Sequence, residues 1–576
     1  MYFLTHLLLL YALAHAAAAF QLPFRLPWVS AALGGDAQAP ITLPAEPASN
    51  RVAVVGAGAG GSAAAFWIGK ARERHGLDVE VDVFESGSYV GGRSTTVHPY
   101  DDPLLEPIEL GASIFVRANK NLWRATDEFG LARTDFGEDG TLGIWDGAEF
   151  RLTLILDREQ TGYSKVGGWW DTLKVLWRYG WRAPSRTKAL VSSMVDQFVK
   201  LYAPCGGPYA SIHALAESFN WTDVANKTTA EYFDAHGIDR KWTMEMVEAA
   251  TRVNYGQSVD AQNADAIHAL EGLCSLAADS ASQVKGGNWQ IFAEFVKRSN
   301  ATLHLNTTVT RIRQLPDGQF AVHTRTAGVP ESESETERTY RAVILAAPYH
   351  ASSIDVQLAH GVAPEVPAQP YVRLHVTLLS TPAPHAKPRY FKLKDGADVP
   401  RMVLTTWEGV RAGEGDGEGA DEGVNASASA RAPEFNSLSY HGKLMNRDGT
   451  PANITRRGED GEERGREEYS VKIFSKQRIE DRWLRRVFGE VGWVHRKEWD
   501  AYPVLPPTTS FPPIQLAKGL FYVNAFEPFI STMETETLSA RNAVELLLKE
   551  EYGAGLCPTG PGDDEPENYV YGWDCL

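Results

Sequence analysis

The chain has 576 residues, 43% of them hydrophobic and 22% charged. That is long for a single core, which stops growing near about 250 to 300 residues, and suits two domains. The net charge of -17, from 73 acidic against 56 basic residues, excludes a nucleic-acid binder, which needs a basic face, and the ordinary composition excludes global disorder.

Residues 1–19 read as a cleavable signal peptide, in which an apolar run around Leu7–Leu10 leads to the A-x-A pattern Ala14, His15, Ala16. The run falls short of the ~20 apolar residues a membrane span requires. A secretory route agrees with the N-x-S/T sequons at Asn220, Asn226, Asn300, Asn306, Asn425 and Asn453, where N-glycans are expected. Four cysteines, Cys205, Cys274, Cys557 and Cys575, are too sparse for a disulfide scaffold. Cys557 with Cys575 would staple the C-terminal tail, 553–576, and free buried thiols are the alternative.

Residues 20–50 are Pro- and Ala-rich and read as a linker. A βαβ unit follows: a β-branched strand at Arg51–Val55, the turn Gly56-Ala57-Gly58-Ala59-Gly60-Gly61, an Ala-rich helix over Ser62–Arg74, and a second strand at Val79–Glu85. In such a unit Gly56 permits the tight turn, Gly58 lets backbone approach a pyrophosphate, Gly60 belongs to the same N–H-lined turn, and Gly61 lets the helix pack closely on the strand. Glu85, at the end of the second strand, is placed to accept hydrogen bonds from a ribose.

Gly91-Gly92-Arg93-Ser94 comes next, and it resembles the extended fingerprint of the FAD-binding amine oxidase and glutathione reductase superfamily. Glu109-Leu110-Gly111-Ala112-Ser113 resembles that superfamily's next stretch, where the chain passes the flavin. The resemblance implies that Gly92 and Arg93 approach the cofactor and that Gly111, Ala112 and Ser113 run beside the flavin. It also implies that Val309, in Thr307–Arg313, meets the adenine. Arg341–Pro348 reads as a buried parallel strand and Gly519–Asn524 as the last strand. Glu527, Ser531, Thr532 and Met533 lead into a helix from about Thr537 to Glu551, whose N-terminus would face the flavin.

Together with Ser282-Gln283-Val284-Lys285-Gly286-Gly287-Asn288, these segments resemble the prenylcysteine oxidase family. The fold this implies is an α/β architecture with a Rossmann-like FAD-binding domain (51–117, 271–348 and 515–552) interleaved with a substrate domain (118–270 and 349–514). The Gly-, Glu- and Arg-rich stretch Arg411–Glu468 reads as an inserted, solvated loop. The resemblance implies FAD as cofactor, and S-farnesyl or S-geranylgeranyl cysteine with O2 as substrates. It also implies prenyl aldehyde, cysteine and H2O2 as products, in a lysosomal, vacuolar or extracellular setting.

Such a substrate requires a long apolar channel with a polar end. Trp169, Trp170, Trp177 and Trp181 cluster at near-helical spacing and read as a helix buried in the substrate domain. With Arg178, Arg182 and Lys188 interleaved, a peripheral membrane contact is the alternative. Lys285, His495, Tyr255 and Glu527 read as structural rather than catalytic, so the catalytic side chains stay unassigned, and no cluster has metal-ligand spacing. Two other readings share much of this pattern: a flavin amine or polyamine oxidase, and a flavin-free prenyl-binding protein resembling Rab GDP dissociation inhibitors.

Overall fold

In a computed structural model, the described residues are 49–135, 140–157, 165–166, 168–203, 207–260, 266–277, 281–330, 334–359, 364–407, 432–457, 463–558 and 569–575. The signal peptide, nearly all of the linker, Cys205 and Asn425 lie outside them.

Strand β1 (Arg51–Val55) begins the fold because its β-branched run is buried on both faces. It pairs in parallel with β2 (Glu80–Phe84) on one side and with Ala342–Leu345 on the other, in the registers Val52↔Val81 and Val52↔Ala342. Thr302–His304 and Leu520–Tyr522 extend this sheet in parallel, and Gln515–Ala517 closes one edge antiparallel. Between β1 and β2, helix α1 (Ala59–His75) packs against Trp289–Ser299 and the C-terminal helix Met533–Tyr552. The expected α/β architecture with a Rossmann-like unit is therefore present.

A four-stranded sheet holds Thr307–Gln314 between Phe320–Thr326 and Asp355–Gln357, so the strand carrying Val309 belongs to this smaller layer and not to the parallel sheet.

An eight-stranded, mostly antiparallel sheet draws its strands from 140–166 and 371–503. Its central strands are Tyr371–Thr381, Tyr469–Ser475, Ser437–Lys443 and Met402–Thr405. This overturns the solvated-loop reading of Arg411–Glu468 over its C-terminal part. Ser437–Lys443 lies between two neighbours in the sheet, with Leu438 and Tyr440 buried. The polar composition misled because the strand alternates, sending Leu438 and Tyr440 into the core while Ser437, Ser439 and His441 face the other way. Residues 408–431 and 458–462 lie outside the described chain.

Two helices stand beside this sheet, α2 (Gly168–Tyr179) and α3 (Arg182–Phe198). Trp177 is 93% exposed and Trp181 70% exposed, which overturns their reading as core. The helix buries Val175 and Tyr179 against Leu152 and Leu154 instead. The side chains of Trp169 and Trp170 lie outside the described residues.

At the C-terminus, Cys557 and Cys575 form a disulfide. It closes a tail whose Trp573 ring meets Phe66, Trp67, Phe129 and Phe295. The tail thus caps the outer side of the nucleotide-binding unit. Replacing Trp573 by Ala removes a partly buried aromatic from this cluster. Equilibrium urea unfolding should show a loss of about 3 kcal/mol, the low end for a Trp-to-Ala change.

Candidate functional site

Three chain segments converge on the turn after β1. The Gly56 amide donates to the Phe84 carbonyl (2.7 Å), the Ala346 amide to Val55 (2.8 Å) and the Gly91 amide to Ala57 (2.9 Å). Gly56 has φ +101°, and a Cβ on Gly61 would run into the Gly56 carbonyl oxygen. A Cβ on Gly92 would stand 3.2 Å from the Gly58 Cα, so the two expected cofactor stretches pack backbone against backbone and leave a cradle that side chains would fill. Glu85 accepts from the Ala57 amide (2.9 Å) and the Gly87 amide (2.7 Å), which fixes its carboxylate at the edge of that cradle.

The cradle opens into a cavity of about 1260 Å³, beyond the usual 300 to 1,000 Å³ of a single drug-sized ligand. Gly56, Gly58, Gly60, Glu85, Gly92, Arg93, Gly111, Ala112, Ser113 and Val309 all line it. Ser531, Thr532 and Met533 line it too, at the N-terminus of α4 (Met533–Tyr552). That helix starts four residues before the expected Thr537 because Thr532 caps it, accepting from the Thr535 amide at 3.0 Å.

Two expected site residues stand elsewhere. Gly61 lies behind the turn, in its packing role. Glu527 is 1% exposed and is not among the lining residues; it is held by the Arg93 guanidinium and the Tyr371 hydroxyl. The carboxylate keeps Arg93 firmly protonated and turns it toward Tyr371 and the Ala501 carbonyl. Lys285 lies outside the cavity beside Glu106, and His495 packs against Trp493. Tyr255 does line the cavity.

The sequence reading missed the opposite wall. One face of the eight-stranded sheet forms it, through Leu374, Met402, Leu404, Ser437, Ser439, His441, Lys472 and Phe474. Cross-strand registers place Met402 beside Ser439 and Ser439 beside Lys472. Period-2 alternation in Tyr469–Ser475 was the available signal, with Val471 and Ile473 in the core and Lys472 and Phe474 in the cavity. The Lys472 ammonium donates to Ser113 Oγ at 2.9 Å, tying this wall to the expected flavin-side stretch.

That stretch is clamped from below by Asn288. Its amide N–H donates to Glu109 Oε1 (2.6 Å), its Nδ2 to the Ala112 carbonyl (2.8 Å), and its Oδ1 accepts from the Val284 amide (2.8 Å). The Gly286-Gly287-Asn288 motif thereby acquires a physical role. Ala112 is held at φ +47°, a strained conformation for a residue with a Cβ. Burial pushes Glu109 up to about 7, against the pull of the Asn288 amide and Lys472. Burial likewise pushes Lys472 down to about 8, with Glu109 opposing, and pushes His441 down to about 3, helped by Lys472.

Several buried polar atoms of the lining have no hydrogen-bond partner among the described residues: Ser94 Oγ, Asn524 Oδ1, Trp499 Nε1 and Glu536 Oε1. Burial and then Glu527 push the Glu536 carboxyl well above the usual carboxylate range. Orphaned donors and acceptors beside a glycine cradle and a helix N-terminus fit a dinucleotide that carries hydroxyls and phosphates.

A family model described as prenylcysteine lyase matches residues 164–554, and one described as an NAD(P)-binding Rossmann-like domain matches residues 54–129. The chain belongs to the prenylcysteine lyase family. It is 25% identical over 507 residues to the farnesylcysteine lyase of Arabidopsis thaliana, covering 86% of this chain and 88% of that one. It is 26% identical over 520 residues to prenylcysteine oxidase 1 of Mus musculus, with the same two coverages. Among solved structures, a putrescine oxidase redesigned in its cofactor binding aligns over 87% of this chain and 99% of that chain, at a TM-score of 0.50 and 14% identity. That likeness concerns the fold alone. The family member is an FAD-dependent oxidoreductase with FAD as its cofactor, and the glycine cradle with the N-terminus of α4 would hold it.

Replacing Glu109 by Gln keeps the acceptor for Asn288 and removes the titration. The native carboxyl is raised from 4.5 to about 7 in the fold, so the folded state binds the extra proton between those values. Stability from this group is full below about pH 4.5 and lost as pH rises to about 7. The stability of wild type relative to Glu109→Gln should therefore fall across that window, at up to about 1.4 kcal/mol per pH unit, in denaturant melts at stepped pH.

Proposed function

We propose that the chain oxidises the thioether of S-prenyl cysteine, releasing prenyl aldehyde, cysteine and H2O2 with consumption of O2 and water. The carrying observation is the wall opposite the glycine cradle, where apolar side chains and a buried lysine share one sheet face. Leu374, Met402, Leu404 and Phe474, with Met194, Val195 and Phe198 of α3, offer the apolar surface that an isoprenoid chain buries. Lys472 and Arg93 supply the cationic side chains of the lining among the described residues, and Arg93 is engaged by Glu527. Lys472 therefore takes the substrate carboxylate.

Bound FAD supplies the redox step, the removal of hydride from the allylic carbon next to sulfur and the delivery of two electrons to O2. The sulfur lone pair and the double bond stabilise the cation left on that carbon. Water adds there with loss of one proton, and the hemithioacetal collapses to aldehyde and thiol. The protein's task is to seat that carbon, keep the amino acid at the Lys472 end and hold the chain in the apolar part.

Purified, flavin-loaded protein given farnesylcysteine should release peroxide and free cysteine, with spermine and S-methylcysteine as inert controls. A yellow protein that ignores farnesylcysteine, or one that oxidises spermine, overturns the substrate. Lys472→Met should raise KM for farnesylcysteine by about tenfold or more. KM for farnesylcysteamine, which lacks the carboxylate, should stay unchanged.

We also propose passage through the secretory pathway to a lysosome, a vacuole or the cell exterior. The support is the leader-like residues 1–19, the Cys557–Cys575 disulfide and the exposure of the sequon residues Asn220, Asn226, Asn300, Asn306 and Asn453. Protein produced in eukaryotic cells should lose apparent mass on treatment with a peptide N-glycosidase. An unchanged mass argues against that route.

A further inference from the structure

The hairpin of α2 and α3 pairs a firmly packed inner side with an outer side that leaves aromatic surface in solvent. On the inner side the Arg178 Nε and Nη2 donate to Glu245 at 2.7 and 2.6 Å, the Tyr179 hydroxyl donates to the same carboxylate at 2.6 Å, and Trp242 Nε1 donates to Thr187 at 3.0 Å. On the outer side Trp177 and Trp181 are 93% and 70% exposed, with Leu173 and neighbouring Ile155 also open. Two large aromatics held in water on a well-anchored hairpin mark a contact surface.

The charge pattern says what covers it. Residues 172–195 contain Lys174, Arg178, Arg182, Arg186 and Lys188 and no Asp or Glu, in a chain of net charge -17. Lys174 pairs with Asp171, Arg178 with Glu245, and Arg186 with the Gly237 carbonyl. Arg182 and Lys188 are exposed and make no ion pair among the described residues. Trp at the tip with unpaired Lys and Arg beside it is the pattern of an interfacial helix on an anionic lipid surface. The core of a protein interface is depleted in lysine. No helix among the described residues is long and apolar enough to cross a membrane, so the contact is peripheral.

The two ends of α3 connect this surface to the site. Its N-terminal end lies next to Trp181, and Met194, Val195 and Phe198 of its last turns line the cavity. Seventeen residues span about 25 Å.

We propose that the tip of this hairpin, through Trp177 and Trp181 with Arg182 and Lys188, docks the protein on an anionic bilayer. This extends the prenylcysteine reading by bringing the cavity to the phase where prenyl chains partition. The binding itself needs no turnover, so the two can fail separately.

The flavin-loaded protein would be floated on a density gradient with phosphatidylcholine vesicles containing or lacking about 30 mol% phosphatidylserine. Wild type should float with the anionic vesicles, with a blue shift of tryptophan fluorescence, and should float less with neutral ones. Trp177→Ala/Trp181→Ala and Arg182→Glu/Lys188→Glu should each weaken binding by about tenfold or more, while keeping flavin absorbance and melting temperature. Absence of flotation by wild type, or equal flotation by folded double variants, overturns the proposal. So does a wild-type dimer in light scattering that Trp177→Ala/Trp181→Ala converts to monomer, since a second copy would then cover the surface.

Discussion

Backbone meets backbone at the turn after β1, and the rest of the site depends on that approach. Gly61 sits against the Gly56 carbonyl and Gly92 against Gly58. Any side chain there would separate α1 from β1, or the Gly91–Arg93 stretch from the turn. Three backbone hydrogen bonds tie Val55, Gly56 and Ala57 to their neighbours, through the Phe84 carbonyl of β2, the Ala346 amide just after Ala342–Leu345 and the Gly91 amide. The parallel sheet, the helix start and the extended fingerprint are therefore one rigid object. A cofactor bound there meets N–H groups already in place, so little ordering accompanies binding.

This node was readable in the sequence because everything it requires is local. Glycines at fixed offsets, a β-branched strand before them and an acid after them occupy about 35 residues, and each residue type has one structural reason to be there. The opposite wall was not readable. Lys472, Ser439 and His441 come from strands whose pairing is set by long-range register, and Ser437–Lys443 sits at the end of a Gly- and Glu-rich stretch that hides its alternation. Composition averages over both faces of a strand, whereas a cavity sees only one. The tryptophans failed for a related reason. Helical spacing shows that residues share a face but not whether that face turns inward, and Trp177 turns outward while Tyr179 takes the core position.

Glu527 shows a third way in which sequence and structure part. A resemblance can place a residue in the right segment without its side chain reaching the cavity. Glu527 is one residue behind the wall, where it orients Arg93 and Tyr371. Its charge still reaches the site indirectly, since after burial it is the next cause that pushes the Glu536 carboxyl upward. Of the two neighbouring buried carboxyls, one has a guanidinium partner and the other is pushed toward its protonated form. Glu109 and Lys472 follow the same logic, each pulled toward neutrality by burial and back toward charge by the other.

The order of segments in the chain makes these two walls inseparable. The prenylcysteine lyase match begins at residue 164 and the nucleotide-binding match ends at 129, yet the cradle needs Val309, Ala346 and Ser531–Met533 from within the later match. The eight-stranded sheet in turn takes 140–157 from before it. A boundary drawn between the two matches would cut both sheets of the site. Neither wall is a module that could be excised with its function, because each borrows strands or loops from the other's stretch of sequence. The cavity forms only when the interleaved segments close together, and this couples the acquisition of cofactor to the completion of the substrate wall.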